Sequence, residues 1–291
     1  MANGTSKKKR QKNGAPRRQE SASFKLYQRK EFVRDLEVPG MMYHILYSFK
    51  LIFESWKIFL PLLIIMAVLM IFLAGISTEY LNGQVVVFGS LVFLMIFLVS
   101  VFVIRHKLAG NKITLSDALF NSMSPLLATL VILVVAAIQC IPIMVLIVAT
   151  SAAVETHFLS TPFYAFLFFT FAGLMLLLSF YLLSSTIIAM IATTAPGMYP
   201  FQALKISSEV MKGRRIKFVL RIIALLITLV VVSLIVMAPL VGFDMMIKQN
   251  FEWAKSIQFV PVCIIILSCA LSVYISVYLY IYYRWMIDAD L

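Results

Sequence analysis

The side chains best equipped for chemistry in this chain are cations. Lys205, Lys212, Arg214, Arg215, Lys217 and Arg221 crowd into one stretch that leads straight into an apolar run. Beside a bilayer each such charge is worth about 1 kcal/mol against anionic headgroups. Basic residues also hold a loop on the cytoplasmic side, so the stretch reads either as a lipid- or partner-binding site or as a topology determinant. A second feature lies inside an apolar run, Gln139-Cys140-Ile141-Pro142. Pro142 removes a backbone donor and is expected to kink its helix. Gln139 is expected either to hydrogen-bond a neighbouring helix, for about 1 kcal/mol, or to line a polar gap. The third is the series Ser185, Ala189 and Thr193, spaced four apart, which lets another helix approach closely.

Catalysis finds little support. The chain has no Gly-rich phosphate loop, no HExxH, no paired-Cys motif and no Gly-x-Ser-x-Gly elbow. Its 13 acidic residues all fall in polar stretches or at the ends of apolar runs, which argues against the buried carboxylate relay of an ion-coupled pump. Cys140, Cys263 and Cys269 lie within apolar runs and are expected to be buried thiols. His44, His106 and His157 stand far apart in sequence, so no metal site, cofactor or catalytic residue is assigned. The chain reads as non-enzymatic.

The elements that would carry these residues follow from hydropathy. Of the 291 residues 62% are hydrophobic, and the mean hydropathy of +0.97 lies far outside globular usage. A hydrocarbon core about 30 Å thick needs roughly 20 apolar residues in a helix. Six segments qualify: 58–80, 85–104, 125–150, 162–192, 218–243 and 258–283. With the N-terminus inside, 23 of the 25 Lys and Arg fall on inner segments, leaving only Lys248 and Lys255 outside. That bias places both termini in the cytoplasm. It accounts for the formal charge of +12 without nucleic acid. Residues 1–37 read as a disordered basic tail, carrying Lys7, Lys8, Lys9, Arg10, Lys12, Arg17 and Arg18, and residues 38–291 as the membrane domain. Tyr278, Tyr280, Tyr282, Tyr283 and Trp285 are expected to anchor the last span at the inner interface.

Each inner segment also holds an amphipathic helix. In residues 41–57 a helical wheel gathers Met42, Ile45, Leu46, Phe49, Ile52, Phe53 and Trp56 on one arc. His44, Ser48, Lys50, Glu54 and Lys57 form the opposite, water-facing arc of a helix lying in the interface plane. Residues 114–123 open with a Thr114-x-x-Asp117 capping box, and residues 200–212 end at Gly213. The expected fold is therefore all-α and polytopic: six transmembrane helices as three hairpins, each preceded by a cytoplasmic amphipathic helix.

The stretch Pro200-Phe201-Gln202-Ala203-Leu204-Lys205-Ile206-Ser207-Ser208-Glu209-Val210-Met211-Lys212-Gly213-Arg214-Arg215, with Asp117-Ala118-Leu119 as a fainter copy, resembles bacterial six-span proteins. Those proteins are similar to the membrane domain of some glycerophosphodiester phosphodiesterases. The resemblance implies a membrane module without catalysis, since the hydrolytic residues of those enzymes lie in a soluble barrel. It also implies the plasma membrane of a bacterium. The expected role is accessory or structural, with anionic phospholipid or a protein partner at the basic cytoplasmic face. The alternative is the permease subunit of an ATP-driven transporter, its short inner helices docking a separate ATPase.

Overall fold

A computed structural model describes residues 40–76, 83–156, 160–251 and 259–288. The basic tail, His157, Lys255 and the expected span ends at Tyr80 and Gln258 lie outside them. Among the described residues there are ten α-helices and no strand. They are α1 (Met41–Glu54), α2 (Trp56–Ile76), α3 (Gly83–Leu108), α4 (Leu115–Ser122), α5 (Leu126–Gln139), α6 (Ile141–Glu155), α7 (Pro162–Ala192), α8 (Pro200–Val210), α9 (Arg215–Asn250) and α10 (Phe259–Asp288).

Five helices, α2, α3, α7, α9 and α10, are each long and apolar enough to cross a bilayer. A sixth crossing is counted when α4 and α5, bent by 57° at the turn between them, are taken as one. The expected third span, 125–150, is interrupted by one residue, Cys140, between α5 and α6; its φ of −81° and ψ of −3° stay in the right-handed helical region. Pro142 sits in the first turn of α6, where its missing N–H would go unbonded anyway. The Cys140 amide still reaches the carbonyls of Ala136 and Ala137, and the Cys140 carbonyl accepts from Ile143 and Met144. At 1.5 Å per residue the two halves are only about 21 and 22 Å long, so neither alone spans a core of about 30 Å.

The capping box forms. The Thr114 hydroxyl accepts from the Asp117 amide at 3.2 Å, and the Asp117 carboxylate accepts from the Thr114 amide at 3.3 Å. The Thr114 hydroxyl, donating to the Asp117 carboxylate at 2.6 Å, and then the Thr114 amide hold the Asp117 carboxyl below the usual carboxylate range.

α10 is the axis of the bundle and packs against α1, α2, α3, α7 and α9. Around it the core gathers Phe59 and Leu62 of α2, Ile96 and Val99 of α3, Ile188 of α7, and Val273 and Val277 of its own. The expected interfacial tyrosines belong to this core. Tyr278, Tyr280, Tyr282 and Tyr283 are at most 6% exposed, and only Trp285 of the aromatic group is half-buried. A belt residue keeps its ring in the headgroup layer. These rings are covered instead, Tyr278 packing with Ile45 of α1 and Leu225 of α9.

The wheel of α1 is also turned from the expected sense. His44 and Ser48, assigned to the water-facing arc, are buried with Ile45 and Leu51. Met42, Leu46, Phe49 and Phe53 remain exposed. Ser48 tolerates burial because its hydroxyl donates back to the His44 carbonyl at 2.8 Å. Tyr274 of α10 completes the docking, donating to the Ile45 carbonyl at 3.3 Å while its ring lies 4.7 Å from that of Phe49.

Burial decides which substitutions this bundle tolerates. Val99 on α3 is fully buried, whereas Val87 on the same helix is 59% exposed. Val99→Phe should overpack the core by about 1–3 kcal/mol and lower the melting temperature in detergent, while Val87→Phe should leave it unchanged.

Candidate functional site at the basic end of the bundle

Side-chain contacts link the last turn of α3 to the turn after α7, the start of α9 to α7 and to the end of α10, and α1 to α10. The Arg105 guanidinium donates to both the backbone and the side-chain oxygen of Thr194, tying α3 to the turn beyond α7. Arg214 donates to the Met286 carbonyl at 3.4 Å, joining the start of α9 to the end of α10. The Arg215 guanidinium lies 4.8 Å above the Tyr181 ring of α7.

The turn between α8 and α9 makes this convergence possible. Met211 is fully buried and Phe218 nearly so, pinning both sides of it. Gly213 takes a φ of +77°, which side-chain-bearing residues rarely adopt, and lets the chain reverse between them.

The six cations of the sequence-predicted patch therefore divide by type. Lys205, Lys212 and Lys217 are exposed. Arg214, Arg215 and Arg221 are half-buried and packed on aromatic rings or backbone. The planar, weakly hydrated guanidinium suits such positions, and the strongly hydrated ammonium does not.

Arg221 opens onto a group that sequence reasoning missed. Its guanidinium carbon is 5.1 Å from the centre of the Tyr282 ring and 5.9 Å from that of Trp285. His44, reaching across from α1, meets Trp285 edge-on at 5.5 Å, Tyr282 at 6.2 Å and Tyr278 at 6.4 Å. His44 is 2% exposed and Tyr278 1%. Burial first, and then the positive charge of Arg221, push the His44 imidazole down to about 4, so it is neutral near pH 7. The signal was present in the spacing: Tyr278, Tyr282 and Trp285 stand at i, i+4 and i+7 and share one face of a helix. Only the partner on α1, more than 200 residues earlier, was hidden.

The remaining predicted residues lie away from this cluster. Thr186 of α7 donates to the Gln139 side-chain oxygen at 2.5 Å, next to the break before Pro142. In the series on α7, Ala189 and Thr193 are buried, and the Thr193 hydroxyl stands 3.5 Å from that of Thr129 on α5. Ser185 is only half-buried, its hydroxyl turned back to the Leu182 carbonyl. Among the described residues no three His, Cys, Asp or Glu side chains come together as a metal ligand set. Cys140, Cys263 and Cys269 are free thiols, and Cys269 alone of the three is fully buried.

Compared with known protein families, characterised proteins and solved structures, the chain matches none of them.

Two outcomes follow from this geometry. His44 is neutral in the fold but takes up a proton at its ordinary value of 6.5 when unfolded. The unfolded chain thus binds more protons between pH 6.5 and about 4, so stability is full above pH 6.5 and falls as the pH drops through that window. Thermal melts of delipidated protein should show this loss, and His44→Phe should remove most of it. Separately, a double-mutant cycle of Gln139→Leu and Thr186→Val should return a coupling of about 0.6–1 kcal/mol. Additive effects would mean the contact contributes nothing.

Proposed function

We propose that the protein is a non-catalytic, multi-pass protein of a bacterial plasma membrane that holds anionic phospholipid at its cytoplasmic face. In this reading the basic end is the cytoplasmic end and both termini lie there. The helices form three hairpins, each led by an amphipathic helix: α1, α4 and α8. The observation that carries it is the division of the cations. Lys205, Lys212 and Lys217 are exposed beside arginines that are already packed, which leaves the lysines available to headgroups. The one-sided distribution of Lys and Arg supports the orientation. The exposed apolar arc of α1 supports its contact with lipid. The likeness of residues 200–215 to the membrane domain of glycerophosphodiester phosphodiesterases supports a module without chemistry of its own.

A second reading has an observation in its favour. Phe120 on α4 is 82% exposed and Phe201 on α8 is 75% exposed. Large aromatic residues presented by short helices between spans suit a permease subunit that docks a cytoplasmic ATPase through them.

Purification from native membranes in mild detergent, with mass spectrometry of retained lipids and co-purifying proteins, separates the two. The lipid reading expects retained anionic lipid that falls sharply in the triple variant Lys205→Glu, Lys212→Glu, Lys217→Glu. Phe120→Ser with Phe201→Ser should leave that retention unchanged. A stoichiometric ATPase lost from the phenylalanine variant would replace this reading with the transporter one.

A further inference from the structure

We propose that His44, Arg221, Tyr278, Tyr282 and Trp285 form a binding site for the phosphate of one anionic phospholipid molecule, distinct from the lysine surface. The inference rests on the reading of this end as the lipid-contacting cytoplasmic face, and adds to it a defined site and ligand chemistry.

The site is recognised by groups without protein partners. Both ring nitrogens of His44, the Nη1 of Arg221 and the hydroxyl of Tyr278 are buried, and none of them has a hydrogen-bond partner in the protein. A buried donor left unpaired destabilises a fold by about 1–3 kcal/mol, and more for a charged group. Ser55, Ser100 and Ser179 also keep an unpartnered hydroxyl, each on its own. Among the described residues only here do several such groups, one of them cationic, converge from three helices, α1, α9 and α10.

Their chemistry specifies what completes the site. Arg221 can only donate, while the Tyr278 hydroxyl and neutral His44 can each donate one hydrogen bond. Among the described residues the charged groups acting on these rings are Arg221 and Arg214, both positive, and no carboxylate joins them. The partner that satisfies this set is an acceptor with negative charge and several oxygens, which is the description of a phosphate.

The exposure of Arg221 and Trp285 favours a phosphate carried by lipid: both are half-buried and are the members of the cluster reachable from outside, while His44 and Tyr278 are covered. The exposed arc of Met42, Leu46, Phe49 and Phe53 lies on the side of α1 away from His44 and is no part of the site. A seated phosphate would also favour the charged imidazolium of His44, so lipid binding should tighten as the pH falls from 7 towards 5.5. The groups facing His44 are Tyr43 on its own helix, Arg221 on α9, and Tyr278, Tyr282 and Trp285 on α10.

The test uses full-length, delipidated protein in neutral detergent. It is titrated with dioleoylphosphatidylglycerol, with dioleoylphosphatidylcholine and with inorganic phosphate, and binding is followed by native mass spectrometry and thermal shift. Phosphatidylglycerol should bind with one-to-one saturation. Arg221→Gln should weaken it about ten-fold or more, the loss of one charged hydrogen bond. Tyr278→Phe removes only a hydroxyl, keeps the packing and should weaken it a few-fold, so the proposal stays testable if Arg221→Gln fails to fold. The Lys205, Lys212, Lys217 triple variant should keep this one-to-one binding. Loss in the lysine variant, with Arg221→Gln and Tyr278→Phe unaffected, would overturn the site while leaving a lipid-binding face. No saturable binding of any lipid to the wild type would overturn both. Inorganic phosphate binding as tightly as phosphatidylglycerol would overturn the lipid as source, and equal binding of phosphatidylcholine would overturn the need for net negative charge.

Discussion

A helix buried on every side needs a partner for each polar atom it carries, because a buried polar group left unpaired destabilises the fold. That constraint falls on the second half of α10. From Val277 to Tyr283 every residue is buried, and four of the seven are tyrosines. Tyrosine supplies a large apolar ring with a single polar tip, so the run fills volume between five neighbouring helices while demanding acceptors or donors at fixed points. Tyr274, one turn earlier, meets the demand by donating to the Ile45 carbonyl. Arg221 meets part of it by lying against Tyr282. The positions of α1 and α9 are in this sense consequences of where the α10 hydroxyls end.

The basic end shows how one run of cations can serve two purposes. A guanidinium can stack on a ring or bridge to a carbonyl with little loss of hydration, whereas an ammonium holds its water tightly. Arg105, Arg214, Arg215 and Arg221 accordingly bind α3, α7, α9 and α10 to one another. The lysines between them stay at the surface. Interhelical packing and surface charge thus come from neighbouring residues of the same sign, sorted by the shape of the charged group.

Much of the helical framework was legible because it follows from one quantity, the length of an apolar run. Five helices long and apolar enough to cross a membrane, and the capping box at Thr114, rest on that quantity and on local spacing. The break at Cys140 was legible only in part. Pro142 announces a disturbance, but its spacing does not say that the helix assignment pauses at one residue, Cys140, while the hydrogen bonds on either side continue. The faces of α1 and the burial of the α10 tyrosines were not legible. An interfacial aromatic and a core aromatic have the same composition, and a wheel sorts residues by polarity without stating whether lipid or protein lies opposite. In a bilayer both are apolar, so the rule that the hydrophobic arc faces inward loses its force, and His44 and Ser48 turn inward instead. The cluster around Arg221 escaped for the same reason, since its members lie on three helices and nothing in the chain order links them.

The central place of α10 has a consequence for how the molecule is made. The contact between Tyr274 and Ile45 closes a separation of 229 residues, and every other described helix leaves the ribosome before α10 does. Before α10 is made α2 and α3 can pair with each other and α7 with α5, α6, α8 and α9, but the buried face of α1 meets its main partner only with α10. Among the described helices the bundle therefore closes late, when the one helix that touches α1, α2, α3, α7 and α9 is in place.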